Sequence, residues 1–181
     1  MLRAAGIEHR VVASHHDEAE VPGVAPAALA AVHAAEKARE VASRAGVPAG
    51  GAVLGSDTVV LVDDRALGKP VDRADAARML GLLAGRTHTV ATAVCLVTDT
   101  TEHAFVDEAN VTFRPLGGDL VEWYLDHGEW QERAGGYAIQ GSGAVLVDRV
   151  DGDFTTVVGL PLGRLCSLLD DLGLAPWSAT A

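Results

Sequence analysis

Val53-Leu54-Gly55-Ser56-Asp57-Thr58-Val59-Val60-Leu61-Val62 is the stretch whose reading decides the fold. Its apolar, β-branched run reads as a buried strand. One carboxylate, Asp57, interrupts it. Such a group costs several kcal/mol to bury unless a cation or hydrogen-bond donors compensate it. Asp57 is therefore either a structural carboxylate, capping a turn or pairing with an arginine, or a metal ligand or general base at a cleft. The absence of a partner nearby in the sequence favours the second reading. Gly68-Lys69-Pro70 follows shortly afterwards. Proline restricts Lys69 to extended backbone and so aims its side chain, which suits a point-charge contact to phosphate. Standing alone, Lys69 would read as a solvated loop lysine. The Gly-Lys pair is not a P-loop, because Pro70 and Asp63 occupy the positions that motif reserves for Ser or Thr and for Gly.

Working outward, the chain alternates helices and strands. Ile7–Ser14 reads as a short strand and His15–Glu20 as a polar loop. Pro26 opens an alanine-rich helix that ends near Gly46, with proline and glycine as its punctuation. The Asp57 strand turns at Asp63-Asp64-Arg65 and returns through Ala66-Leu67. Asp72 caps a second helix, in which Ala76, Met79, Leu80 and Leu83 share one apolar face. His88–Val97 and His103–Phe113 read as an antiparallel pair. Asp119–His127 is a third helix ended by Gly128. A glycine-rich stretch, Gly135–Gly143, leads to a strand at Val145–Val147 and a turn at Asp151–Asp153. A last helix covers about Pro161–Leu172, and the tail after Pro176 reads as frayed. Hairpins beside crossovers imply an α/β fold with a mixed twisted sheet flanked by helices.

The 181 residues suit one domain, with room for two lobes around one cleft. Lysine and arginine total 14 against 25 aspartates and glutamates, a formal charge of −11. That balance argues against a nucleic-acid surface, yet a few local cations and a metal suffice for a small phosphorylated ligand. Cys95 and Cys166 lie far apart in apolar segments and read as reduced core residues of a cytoplasmic protein. No signal peptide or membrane span is apparent.

Further residues invite chemistry. Glu18 could join Asp57 as an oxygen ligand for Mg²⁺, against the plainer reading of a solvated acidic turn. His15 and His16 suggest zinc, but neighbours in extended chain point to opposite faces. Lys37 stands among alanines that let its helix pack closely, although a solvated lysine is the default. Gln140 lies within Ala134-Gly135-Gly136-Tyr137-Ala138-Ile139-Gln140-Gly141-Ser142-Gly143. Its amide suits a nucleobase edge and equally a tight turn.

Several segments together resemble the Maf family of nucleoside triphosphate pyrophosphatases, dTTP/UTP-type subgroup. They are Asp17-Glu18, Glu36-Lys37-Ala38, Gly55–Val60, Gly68-Lys69-Pro70, Gly85-Arg86-Thr87-His88, Ala134–Gly141 and Val157–Leu162, in the family's order. The resemblance implies a fold akin to inosine triphosphate pyrophosphatases, with a nucleotide cleft between two lobes. It implies hydrolysis of dTTP, UTP or modified nucleotides to the monophosphate and pyrophosphate, with a divalent cation, Mg²⁺ or Mn²⁺, and a homodimer. Asp57 matches the family's acidic catalytic residue and Glu18 a further active-site carboxylate. Lys37 and Lys69 match its phosphate-contacting lysines, and Thr58 and Gln140 the base preference of the subgroup. Met1–Ile7 matches the end of the family's first helix, so the family's opening strand and its Ser-x-Ser-Pro-Arg-Arg loop are not in this sequence. A late start and a natural truncation both give that pattern. The rival expectation is a catalytically impaired, nucleotide-binding regulator of cell division.

Overall fold

The computed structural model describes residues 1–19, 21–63 and 65–177. Five strands form one sheet in the order β2-β1-β3-β4-β5. Strand β1 (Val53–Val62) returns as β2 (Arg65–Leu67), antiparallel, with Val60 opposite Leu67. Strands β3 (Thr87–Val97) and β4 (Glu102–Phe113) are joined by a turn in which Thr98 N donates to Thr101 O at 2.9 Å. Strand β5 (Val147–Asp151) runs antiparallel to β4, with a register shift at Thr112/Phe113. The helices are α1 (Pro26–Ala45), α2 (Arg73–Leu83), α3 (Gly118–Asp126), α4 (Phe154–Val158) and α5 (Leu162–Asp171). The α/β class expected from the alternation is the class found.

The chain forms two compact units. The first holds residues 1–57, 92–107 and 159–177, and the second residues 58–91 and 108–158. In the first, α5 places Leu165 and Leu169 beside Val94 and Leu96 of β3 and Leu160. In the second, the predicted face of α2 is the one buried: Ala76, Met79, Leu80 and Leu83. It joins Val60, Val90, Val111, Phe113 and Tyr124 in one core. Burying such side chains stabilises by about 1.5–3 kcal/mol each. The cap on α2 is also the predicted one, Asp72 Oδ1 accepting from Asp75 N at 2.8 Å. A cap of this kind is worth about 1 kcal/mol.

Two local expectations are corrected, and one element, α4, was not expected. Residues 7–14 are not a strand. From Val11 to His16 exposure alternates with a period of two, as in a strand, but the polar partners of this stretch are side chains of α1 rather than a ladder. Val145 and Leu146 belong to a 3₁₀ helix, Gly141–Leu146, and the strand begins at Val147. Gly141 (φ 80°) starts that helix in a conformation only glycine adopts freely. The five-residue α4 is too short to show helical periodicity in sequence. Glu20, Asp64 and the end of the expected frayed tail, residues 178–181, lie outside the described residues.

Candidate active site

The alanines of α1 and the glycine of β1 act together. A Cβ placed on Gly55 would meet the carbonyl oxygen of Ala34 at 2.2 Å and the amide nitrogen of Ala38 at 2.9 Å. Helix and strand backbones are therefore closer than any side chain at position 55 permits. Asp57 shares a strand face with Gly55, and Lys37 lies between Ala34 and Ala38 in sequence. Lys37 Nζ accordingly donates to Asp57 Oδ1 at 2.7 Å. It also pairs with Glu18 Oε1 at 2.5 Å. The Asp57 side chain keeps 16 % of its exposure and that of Lys37 20 %. Burial pulls the Lys37 ammonium down, but hydrogen bonds and charge from Asp57 and Glu18 outweigh it and leave the pKa above its ordinary value.

The carboxylate is half-buried rather than buried, and it is not left without a cation. The partner of Asp57 is not an arginine but Lys37, twenty residues earlier in the chain. Lys37 is correspondingly not the solvated helix lysine of the default reading. Ser56, next to Asp57, fixes the strand. Its hydroxyl lies 3.0 Å from Ala93 O and 2.9 Å from Gly159 O and shares one proton between them.

Glu18 arrives on the strap that precedes α1. Arg44 Nη2 donates to Ala13 O at 2.7 Å, and His15 N donates to Glu40 Oε2 at 3.2 Å. The rings of His16 and His33 meet nitrogen to nitrogen at 2.9 Å. His33, Lys37, Glu40 and Arg44 are spaced four, three and four apart, so they form a single stripe along the helix. Docked on that stripe, the strap delivers Glu18 to Lys37. His15 stays exposed while His16 packs on His33, as opposite faces require. Among the described residues no group of three or more His, Cys, Asp or Glu could hold a metal alone.

Thr58, Lys69 and Gln140 belong to the second unit. The loop before Lys69 is pinned by Gly135 N, which donates to Gly68 O at 3.0 Å. Gly135 needs its left-handed backbone (φ 70°), and a Cβ there would lie 3.0 Å from Val60. Gln140 lines a cavity of about 530 Å³ with Glu129, Arg133, Tyr137, Ile139 and Val158. Gly143 behind it is as constrained as Gly55, since its Cβ would fall 1.9 Å from Ala138 O. Glu129 holds the loop. Its carboxylate accepts from Ser142 N and Oγ, both at 3.1 Å, and from Gly143 N at 3.2 Å. The Ser142 amide first, and the other donors after it, keep its pKa below the ordinary value.

The cavity wall at Tyr137 rests on a buried network. The Tyr137 hydroxyl and His88 Nε2 are 2.8 Å apart, with Phe113 edge-on to both rings. His88 is 3 % exposed and its Nδ1 has no partner. Burial pushes its pKa down to about 4, so it is neutral at pH 7. Burial likewise raises the Tyr137 phenol. Sequence reasoning missed Glu129, Arg133 and His88. The first two adjoin the glycine-rich stretch that drew notice to Gln140, and His88 had been read as the start of a strand and the end of a family-like segment, with no role assigned to it.

A family model described as "Maf-like protein" matches residues 1–172. A protein of Symbiobacterium thermophilum named "dTTP/UTP pyrophosphatase" is 44 % identical over 173 residues, 96 % of this chain and 88 % of that protein. Proteins of the same name from Bacillus pumilus and Myxococcus xanthus are 37 % and 42 % identical. The first alignment covers 98 % of this chain and 92 % of the relative, and the second 99 % and 90 %. With that match running through the strap, α1, β1 and the glycine-rich stretch, the chain belongs to the Maf-like protein family.

Proposed function

We propose that this protein hydrolyses nucleoside triphosphates of the dTTP and UTP class to the monophosphate and pyrophosphate. The observation that carries the reading is the Glu18–Lys37–Asp57 cluster, two carboxylates closed on one ammonium beside a strand core. Relatives named for this activity match nearly the whole chain, which supports the reading.

The donor set fits a divalent cation of the Mg²⁺ or Mn²⁺ kind. Such ions take one or two carboxylates and complete their shell with water and substrate phosphate oxygens, which is why two carboxylates suffice. Glu18 and Asp57 would hold it, and when bound it would neutralise charge on the phosphates. Lys37 and Lys69 offset charge that builds up as the bond from the α-phosphorus to the bridging oxygen breaks. Asp57 orients the water that attacks the α-phosphorus, and pyrophosphate leaves. Thr58 and Gln140 screen the base.

The deciding experiment is pyrophosphate release from dTTP and UTP in the presence of Mg²⁺. Turnover is expected. Binding of either nucleotide without release points instead to a regulator that has lost catalysis. The proposed reading includes a homodimer, checked by sedimentation, and a cytoplasmic location. Two free cysteines, one buried and one half-buried, support the latter. No helix among the described residues is long and apolar enough to cross a membrane.

A further inference from the structure

The geometry points to Arg133 as a substrate-binding residue that takes the triphosphate of the nucleotide; this rests on the proposed pyrophosphatase reading.

Three observations converge on it. First, its guanidinium is unspent. Arg39, Arg44, Arg73, Arg78, Arg86 and Arg164 each meet a carboxylate. Arg133 meets none among the described residues. Arg3, Arg10, Arg65, Arg114 and Arg149 likewise meet no carboxylate among the described residues, so what sets Arg133 apart is its place on the wall of the cavity that Gln140 lines, where an arginine fork can match phosphate oxygens in pairs.

Second, it is held. Arg133 N donates to Trp130 O at 3.3 Å, and its own carbonyl accepts from Gly136 N at 3.0 Å. Glu132, just before it, sits at φ 58°, a strained conformation for a residue with a side chain. Gly135 and Gly136, just after it, take left-handed backbone as well. The side chain is exposed, but the turn that presents it is fixed.

Third, its position is tied to Lys69 of the same unit. The Gly135 N to Gly68 O bond joins the turn of Arg133 to the loop of Lys69. Arg133 also lines the cavity that holds Gln140. Two carboxylates lie along the same wall, Glu129 and Glu132. Hydrogen bonds from Ser142 and Gly143 turn the oxygens of Glu129 into the loop but keep it an anion, so Glu129 and Glu132 are both charges that Lys69 and Arg133 must outweigh. A triphosphate, with several charges, meets Lys69 and Arg133 together.

The test uses Arg133→Gln and Arg133→Lys in the full chain, with inorganic tripolyphosphate and thymidine as separate probes in Mg²⁺ buffer. Arg133→Gln is expected to weaken tripolyphosphate binding by about tenfold or more, the effect of one charge-assisted pair. Thymidine binding should stay unchanged, and Arg133→Lys should recover part of the loss. KM for dTTP should rise with kcat nearly constant, as for binding shared by ground and transition states. Unaltered tripolyphosphate affinity overturns the assignment. So does an equal loss for thymidine, which would turn Arg133 towards the base, or a wild type that does not bind tripolyphosphate. If wild type binds tripolyphosphate through Arg133 yet releases no pyrophosphate, the hydrolase reading fails and the assignment of Arg133 stands.

Discussion

Gly55 and Ala34 are in backbone contact so close that a single added methyl at residue 55 would overlap the Ala34 carbonyl, at 2.2 Å. This contact sets the separation of α1 from β1, and through it the meeting of Lys37 with Asp57. Gly55→Ala should cost about 1–3 kcal/mol, the usual range for overpacking a tight interior. It should also reduce turnover, because the helix must retreat from the strand. Urea denaturation and steady-state kinetics check both. An unchanged midpoint would show that the strand yields without cost.

Asp57→Asn keeps the shape of the side chain and removes its charge. Turnover should fall by at least about a hundredfold, in the range of losing a positioned acid–base group. The fold should survive, since the amide oxygen still accepts from Lys37. Full activity in this variant would remove Asp57 from the chemistry.

Lys37→Met strips the shared cation and leaves Glu18 and Asp57 facing each other. Stability should drop by about 1–3 kcal/mol, the cost of a partly buried charge left unpaired. Added Mn²⁺ should then raise the melting temperature of the variant more than that of wild type, because a cation binding only the folded state stabilises it by mass action. Equal shifts in both proteins would argue that the two carboxylates do not form a cation site.

His88 gives the fold a pH dependence with a definite sign. Its pKa is near 4 when folded and 6.5 when free, so between these values the unfolded chain holds the extra proton. Its contribution is complete above pH 6.5 and lost as pH falls towards 4, by about 3 kcal/mol. His88→Gln should flatten that part of the stability profile. A slope that persists in the variant would assign it to other groups.

Gln140→Ala should narrow the preference for dTTP and UTP over purine triphosphates while leaving the fold intact, since Gln140 is exposed at the cavity. An unaltered ranking of substrates would exclude it from base recognition.

Where local chemistry governs, sequence was enough. Pro26 and Gly46 bracket α1, Asp72 caps α2, and the i, i+3, i+4, i+7 pattern names the buried face of α2. The long apolar run gives β1, and the alanines around Lys37 already announced a close approach. What stayed hidden depends on distant partners. Residues 11–16 alternate like a strand because they are extended chain, and only the fold shows that they dock on a helix stripe. The pairing of Asp57 with Lys37 spans twenty residues, and nothing at either position names the other. The candidate site residues were legible as types of chemistry. Their grouping into Glu18–Lys37–Asp57 on one unit and Thr58, Lys69 and Gln140 on the other was not.

One consequence concerns assembly of the protein itself. Because Lys37 serves as a built-in counter-ion for Glu18 and Asp57, the acidic pair is electrically quieted before anything binds. If the cluster takes a divalent cation as proposed, folding does not depend on it. On that reading a chelator should stop turnover without lowering the melting temperature.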